Sequence, residues 1–190
     1  MVTRILGISG SLRSGSYNTS LLRAAQALAG TDVVFEVATL HGIPLYDGDL
    51  EQRDGLPAAV TALKDQIATS HGVLLATPEY NNGIPGVFKN AVDWLSRPSS
   101  DAARVFGDRA FAVIGTSPGG FGTILAQNAW LPVLRTLGVR YWAGGRLMVS
   151  RAHQMFDESG GIRDETLRGQ LQQFVAGFAA FAGASGRGGR

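Results

Sequence analysis

Nine consecutive residues, Gly10 to Asn18 (GSLRSGSYN), carry the densest set of groups able to hold an anion. Ser11, Ser16 and Asn18 can donate hydrogen bonds, and Arg13 adds a forked, permanent positive charge suited to a phosphate monoester. Gly10 and Gly15 let the backbone approach a ligand with no Cβ in the way. The stretch lies between an apolar run, residues 2–8, and a helix-like run, residues 19–29. A helix start leaves its first four N–H groups unpaired and carries partial positive charge, so an anion is stabilised there. Capping of the helix would account for one of these side chains. It does not account for four donors and two glycines in nine residues.

Three better-known loops fail on single residues. Gly10…Gly15-Ser16 nearly meets G-x-x-x-x-G-K-[ST], but the lysine that reaches the outer phosphates is missing. The dinucleotide pattern G-x-G-x-x-G is absent, and no acidic residue closes the second apolar run to hold a ribose hydroxyl. Gly7-Ile8-Ser9-Gly10-Ser11 lacks the last glycine of an esterase elbow. A loop for one terminal phosphate is what remains.

Two other stretches share its character. Thr77 to Gly86 (TPEYNNGIPG) packs two prolines, two glycines, two asparagines and a tyrosine into a stiff connection of defined shape. Ser117 to Thr123 (SPGGFGT) is a glycine-rich turn. Within the first of these, Glu79 reads as an exposed carboxylate whose backbone matters more than its charge, and Tyr80 as the one aromatic placed to meet a ligand.

The elements that must position these loops follow from hydrophobic period. Apolar, β-branched runs at 2–8, 33–40, 73–76, 109–116 and, interrupted by Gly144-Gly145, 139–149 predict strands covered on both faces. Helical spacing is predicted over 19–29, from Pro57 through Val60, Leu63 and Ile67, over 87–95, over 124–137 despite Pro132, and through Leu167, Leu171, Phe174, Val175 and Phe178. His71 closes the second helix as a dipole contact, and residues 41–55 form a long polar connection, a candidate cleft wall. Strand and helix alternate five times, which predicts an α/β fold: a doubly wound, five-stranded parallel sheet with helices on both faces. The three loops follow strands one, three and four and so share the carboxyl edge, where ligands of such sheets sit.

With 190 residues, 45% of them hydrophobic, the chain suits one domain over 1–183, followed by a disordered Gly/Arg tail at 184–190. No cysteine is present, which removes disulfides, thiolate chemistry and cysteine-held metal clusters; no metal site is expected. No apolar run reaches membrane-span length and no signal peptide is visible, so a cytoplasmic protein without membrane contact is expected. The isoelectric point near 9.3 suggests nucleic acid, but the net charge is only +2 and Arg187 and Arg190 lie in the tail. The remainder is near neutral with no basic stripe, so no nucleic-acid partner is expected.

GSLRSGSYN together with TPEYNNGIPGVFKNAVDWLSR resembles the NAD(P)H-dependent FMN reductases, a flavodoxin-like group that includes bacterial quinone, chromate and azo-dye reductases. The likeness runs to about Phe181. It implies FMN as cofactor, with the phosphate on Ser11, Arg13, Ser16 and Asn18 and with Tyr17 in the same set. It implies that Pro78, Glu79, Tyr80, Asn81 and Asn82 border the isoalloxazine ring, with Ser117, Gly119 and Gly120 near it. Placement of FMN beside strands one and three is an analogy with flavodoxin. The sequence departs mildly from close relatives at Asn82-Gly83, where another aromatic can occur, so the resemblance does not fix the shape over the ring or the choice of acceptor. NADPH or NADH is the implied co-substrate, and small-molecule acceptors such as quinones, FMN, azo dyes and chromate follow it in a ping-pong cycle. No side chain is expected to be catalytic, because the flavin carries the chemistry. The alternative on the same fold is a non-enzymatic electron carrier, which its near-neutral charge disfavours. The family implies a homodimer or homotetramer, with helix 87–95 and the Trp130 region as candidate contact surfaces.

Overall fold

A computed structural model describes residues 2–184. Strands β1 (Thr3–Ser9), β2 (Val33–Ala38), β3 (Gly72–Ala76), β4 (Ala110–Thr116) and β5 (Arg140–Tyr141) form a parallel sheet in the order β2-β1-β3-β4-β5. The register sets Ile5 beside Phe35 and Gly72, and Leu74 beside Ala112. β3 and β4 are buried along their whole length, as strands covered on both faces must be. On one face Leu21, Leu22 and Ala25 of α1 (Tyr17–Leu28) meet Leu171, Phe174 and Phe178 of α8 (Glu165–Gly183) over Ile5, Leu74 and Ala112. The other face is closed by α3 (Ala58–Thr69), α4 (Gly86–Leu95), α5 (Ala102–Phe106) and α6 (Ile124–Thr136) over Leu6, Ile8, Val73 and Val113. The chain winds outward from β1 to β2, then returns to place β3 on the other side of β1. The winding direction reverses between β1 and β3, so the connections that leave their carboxyl ends go to opposite faces of the sheet, the place where such folds hold ligands.

Four expectations change or gain detail. The fifth strand is two short ones, because β6 (Met148–Val149) pairs with β4 at Gly115 and Thr116, beyond the two residues of β5. Between them Gly144 and Gly145 fold around the Trp142 indole, where a Cβ would lie 2.5 and 2.8 Å from ring atoms. The connection 41–55 contains a helix, α2 (Gly48–Asp54), whose N-cap Asp47 accepts from Asp49 N at 2.9 Å. It buries no residue, so it has no apolar period to detect. This strap lies along α4: Pro44 O accepts from Asn90 Nδ2 at 2.8 Å and from Trp94 Nε1 at 2.9 Å. His71, the residue after the C-cap of α3, accepts through Nδ1 from Arg4 N at 2.8 Å, a partner on β1 that its place at the helix end did not suggest. Finally, Trp94, Trp130 and Phe88 are fully buried core, so a contact surface on α4 or α6 falls to other residues of those helices. The segment 185–190, where most of the expected tail falls, lies outside the described residues.

Short α7 (Ala152–Met155) completes the order. No helix among the described residues is long and apolar enough to cross a membrane.

Candidate functional site

The first loop begins where β1 ends. Gly10 N donates to Ala76 O at 2.9 Å, carrying the β1–β3 pairing one bond past the strands. Ser11 Oγ accepts from Arg13 N at 3.3 Å, and Ser16 N donates to Arg13 O at 3.2 Å, which rounds the chain into a tight turn. Ser16 is the N-cap of α1, its Oγ accepting from Thr19 N at 3.4 Å. The hydroxyl hydrogen stays free to donate. The backbone N–H groups of Tyr17 and Asn18 open the helix without an acceptor among the described residues. Arg13 is exposed, and its guanidinium folds back over the turn, 3.9 Å from where a Cβ of Gly15 would stand.

Asn18 does something the sequence did not suggest. Its Oδ1 accepts from Thr116 N at 3.0 Å and its Nδ2 donates to Thr116 O at 2.9 Å, both bonds buried. The carboxamide thereby pins the start of α1 to the end of β4, and one amide hydrogen is left for a ligand. Below it Ser9 Oγ and Thr19 Oγ1 share a buried hydrogen bond of 2.8 Å. Thr116 Oγ1 is a buried side-chain oxygen with no partner among the described residues.

The second loop leaves β3 through buried Pro78. Tyr80 N donates to Gly83 O at 3.3 Å and Gly83 N to Tyr80 O at 3.1 Å, closing a two-residue hairpin over Asn81 (φ 51°) and Asn82 (φ 62°). Two consecutive left-handed residues define the tight turn that asparagine tolerates best after glycine. Tyr80 is half exposed. Glu79 is the correction here, for its carboxylate is engaged: Oε2 accepts from Leu125 N at 2.9 Å and Ala126 N at 3.0 Å at the start of α6. Thr123, the residue type that usually caps, is left-handed (φ 68°) and makes no cap of its own.

The third loop is fixed on one side and open on the other. Ser117 N donates to Val149 O at 3.0 Å, Ala152 N to Ser117 O at 3.0 Å, and Arg151 N to Gly119 O at 2.9 Å. Gly119 and Gly120 are exposed, and a Cβ on Gly120 would meet nothing within 4 Å.

These loops touch one another directly. A Cβ on Gly10 would lie 2.1 Å from Phe88 Cδ1 and 2.9 Å from Pro78 Cδ, so the first loop rests on the second. Asn18 joins the first to the third and Glu79 joins the second to α6. His41, in the strap, bonds Leu12 O through Nε2 at 3.1 Å. The geometry brings Ser11, Arg13, Ser16, Tyr17 and Asn18 together around one turn. Pro78 stands beside it, and Ser117 is held through β4. The fit to a flavin mononucleotide is chemical: free N–H groups, hydroxyls and a guanidinium for the phosphate, with open glycine and hairpin edges for a flat ring. Among the described residues no group of three or more His, Cys, Asp or Glu converges as a metal site would require. A cavity of about 740 Å3 opens between segment 142–150 and α8; it is lined by Val149, whose carbonyl takes the Ser117 N–H, but by no residue of the three loops themselves.

Known proteins resemble this chain along nearly its whole length. A family model described as NADPH-dependent FMN reductase matches residues 3–154. An NAD(P)H-dependent FMN reductase from Pseudomonas aeruginosa is 41% identical over 170 residues, 90% of each chain. A 2-hydroxy-1,4-benzoquinone reductase from a Burkholderia species is 37% identical over 181 residues, covering 95% of this chain and 97% of that one. Among solved structures, the flavoenzyme NAD(P)H:(acceptor) oxidoreductase FerB from Paracoccus denitrificans superposes with a TM-score of 0.85 at 34% identity, covering 96% of this chain and 98% of its own. The chain is a member of the NADPH-dependent FMN reductase family, a flavodoxin-like oxidoreductase that uses FMN with NAD(P)H.

Proposed function

We propose that this enzyme passes electrons from NAD(P)H through FMN to quinones or similar flat acceptors, in two half-reactions that use one open face in turn. The carrying observation is the locking together of an anion-binding turn, a rigid hairpin and a glycine-rich turn at the carboxyl ends of β1, β3 and β4. The activities after which the Pseudomonas and Burkholderia relatives are named support both partners. FMN, when bound, supplies the two-electron chemistry of its ring.

In this reading the residues divide the work. Ser11, Arg13, Ser16 and the N–H groups of Tyr17 and Asn18 hold the phosphate, while the Asn18 side chain keeps α1 aimed at it. Pro78, Glu79, Tyr80, Asn81 and Asn82 border the ring, and half-exposed Tyr80 shapes the acceptor side. Ser117 anchors the third turn through Val149 O, and Gly119 and Gly120 offer its backbone N–H groups to charge that accumulates on reduction, as an oxyanion hole does. No side chain has to move a proton for nicotinamide oxidation.

A second copy of the chain covers the exposed face of α6, as a homodimer or within a homotetramer. The test is direct: the purified protein with FMN should give a flavin absorption spectrum, bleach on mixing with NADH or NADPH, and recover with 1,4-benzoquinone. Initial rates at varied quinone should give parallel double-reciprocal lines. Intersecting lines would reject the two-stage cycle, and a protein that takes up no FMN would reject the site. Azo dyes and chromate belong in the same assay as alternative acceptors.

A further inference from the structure

Glu79 is a second tie between the loop after β3 and α6, beside Trp130 Nε1, which donates to Thr77 Oγ1 at 3.1 Å. It sits between buried Pro78 and Tyr80, the first residue of the hairpin. Its Oε2 takes the N–H groups of Leu125 and Ala126, 46 and 47 residues further on. Those groups open α6, a helix of 13 residues whose own N-cap position is left-handed and whose Thr123 hydroxyl is occupied by Gln127 Nε2 at 3.1 Å. The carboxylate therefore replaces the local cap. It also places a full negative charge against the positive end of the α6 dipole.

We propose that Glu79 is a positioning residue that sets the affinity of the site for reduced against oxidised flavin. This rests on the reading that FMN lies between the hairpin and the glycine turn. Two effects follow from one contact. The hairpin is held to α6, so Tyr80, Asn81 and Asn82 keep their placement beside the ring. The carboxylate also offsets the helix dipole, which would otherwise favour the extra negative charge of the reduced ring. A neutral acceptor in the same position would keep the first effect and lose the second.

Glu79→Gln separates them, because its amide oxygen can still accept both N–H groups. The expected result is an FMN-loaded protein of nearly parental melting temperature that binds reduced flavin about tenfold more tightly relative to oxidised. That is a positive midpoint shift of about 30 mV for a two-electron couple. Asp32→Asn, at the opposite end of the sheet before β2, should leave the midpoint in place. A midpoint in Glu79→Gln equal to the parent's, or an equal shift in Asp32→Asn, would overturn the proposal. The mechanical half is read without cofactor. In the Glu79→Ala apoprotein, hydrogen exchange at the Leu125 and Ala126 amides should accelerate at least tenfold while β3 amides keep their protection; unchanged rates overturn it. A parent chain that fails to bind FMN is a different outcome, and strikes the proposed function instead.

Discussion

Arg13 is the one full positive charge on the anion-binding turn, and its exposure lets it close over a phosphate from outside. A hydrogen bond to a charged partner contributes about 1.5–3 kcal/mol. Arg13→Ala should therefore weaken FMN binding by about ten- to a hundredfold in a calorimetric titration with little change in melting temperature, and near-parental affinity would remove Arg13 from the phosphate site. At this scale the residue types were legible and their partners were not. Ser11, Arg13 and Ser16 stand out because donors and glycines crowd into one turn, and they do surround it. Asn18 looked like another ligand donor, yet most of its amide serves Thr116, 98 residues away, a pairing no local pattern can announce. Glu79 looked idle for the same reason, its two acceptor contacts lying on a distant helix. Gly10 falls between these cases. Its need for close approach was readable, but the neighbours it approaches are Phe88 and Pro78 rather than a ligand.

At the level of elements, the Asn18 carboxamide is the bond between α1 and β4 at the working edge of the sheet. Truncating it exposes no new surface to water, since Asn18 and Thr116 are 4% and 2% accessible, and it leaves a buried N–H and a buried C=O unpaired. Each such group costs about 1–3 kcal/mol. Asn18→Ala should thus lose about 2–5 kcal/mol in urea unfolding and lower FMN affinity with it; a loss under half a kcal/mol would show that the staple is dispensable. Elements buried on both sides were easy to read. β3 and β4 are continuous apolar runs, and α8 repeats at three and four because its inner face meets the sheet. What escaped were pieces held by polar contacts. α2 buries nothing, so its cap at Asp47 and its ties through Tyr46 and Glu51 carry no hydrophobic period. The interrupted fifth strand failed for a steric reason, the turn of Gly144 and Gly145 around Trp142.

Across the whole molecule the two ends of the sheet are built differently. At the end away from the loops, Lys64 is 1% accessible on α3 and pairs with Asp101 at 2.8 Å, while also reaching Arg97 O. Asp101 holds Arg104 at 2.7 Å as well, and the Arg104 hydrogen bonds, then those of Lys64, keep its carboxyl well below the usual carboxylate range. In the unfolded chain that carboxyl returns to about 3.9. As pH falls below that value the unfolded state takes up the proton first, so the stabilisation present at neutral pH drains away on the acid side. Asp101→Asn should cost about 3 kcal/mol at pH 7, the lower end for breaking a buried pair because Asp101 is 29% accessible, and should flatten the decline below pH 4. Urea midpoints measured from pH 7 to pH 2 decide it, and parallel curves would exclude the pair as an acid-sensitive tie.

The opposite end carries unpaired apolar surface. Phe121 is 79% accessible, and Leu125, Leu131 and Ile124 expose 44, 41 and 38% along α6. Ile124 and Leu131 are two turns apart on one face, and with Tyr141 and Met148 they line a groove of about 260 Å3. Exposed apolar stripes of this kind on a folded domain mark association surfaces. Because α6 begins at the Glu79 contact, a subunit seated on it would sit beside the flavin site and not merely share a back face. Leu131→Glu, far along the helix from Glu79, should therefore shift sedimentation toward the monomer and also weaken FMN retention, with the flavin loss tracking the fraction of monomer. If Leu131→Glu sediments as the parent does, α6 is not the interface. If it dissociates while FMN affinity stays unchanged, each site is complete within one chain.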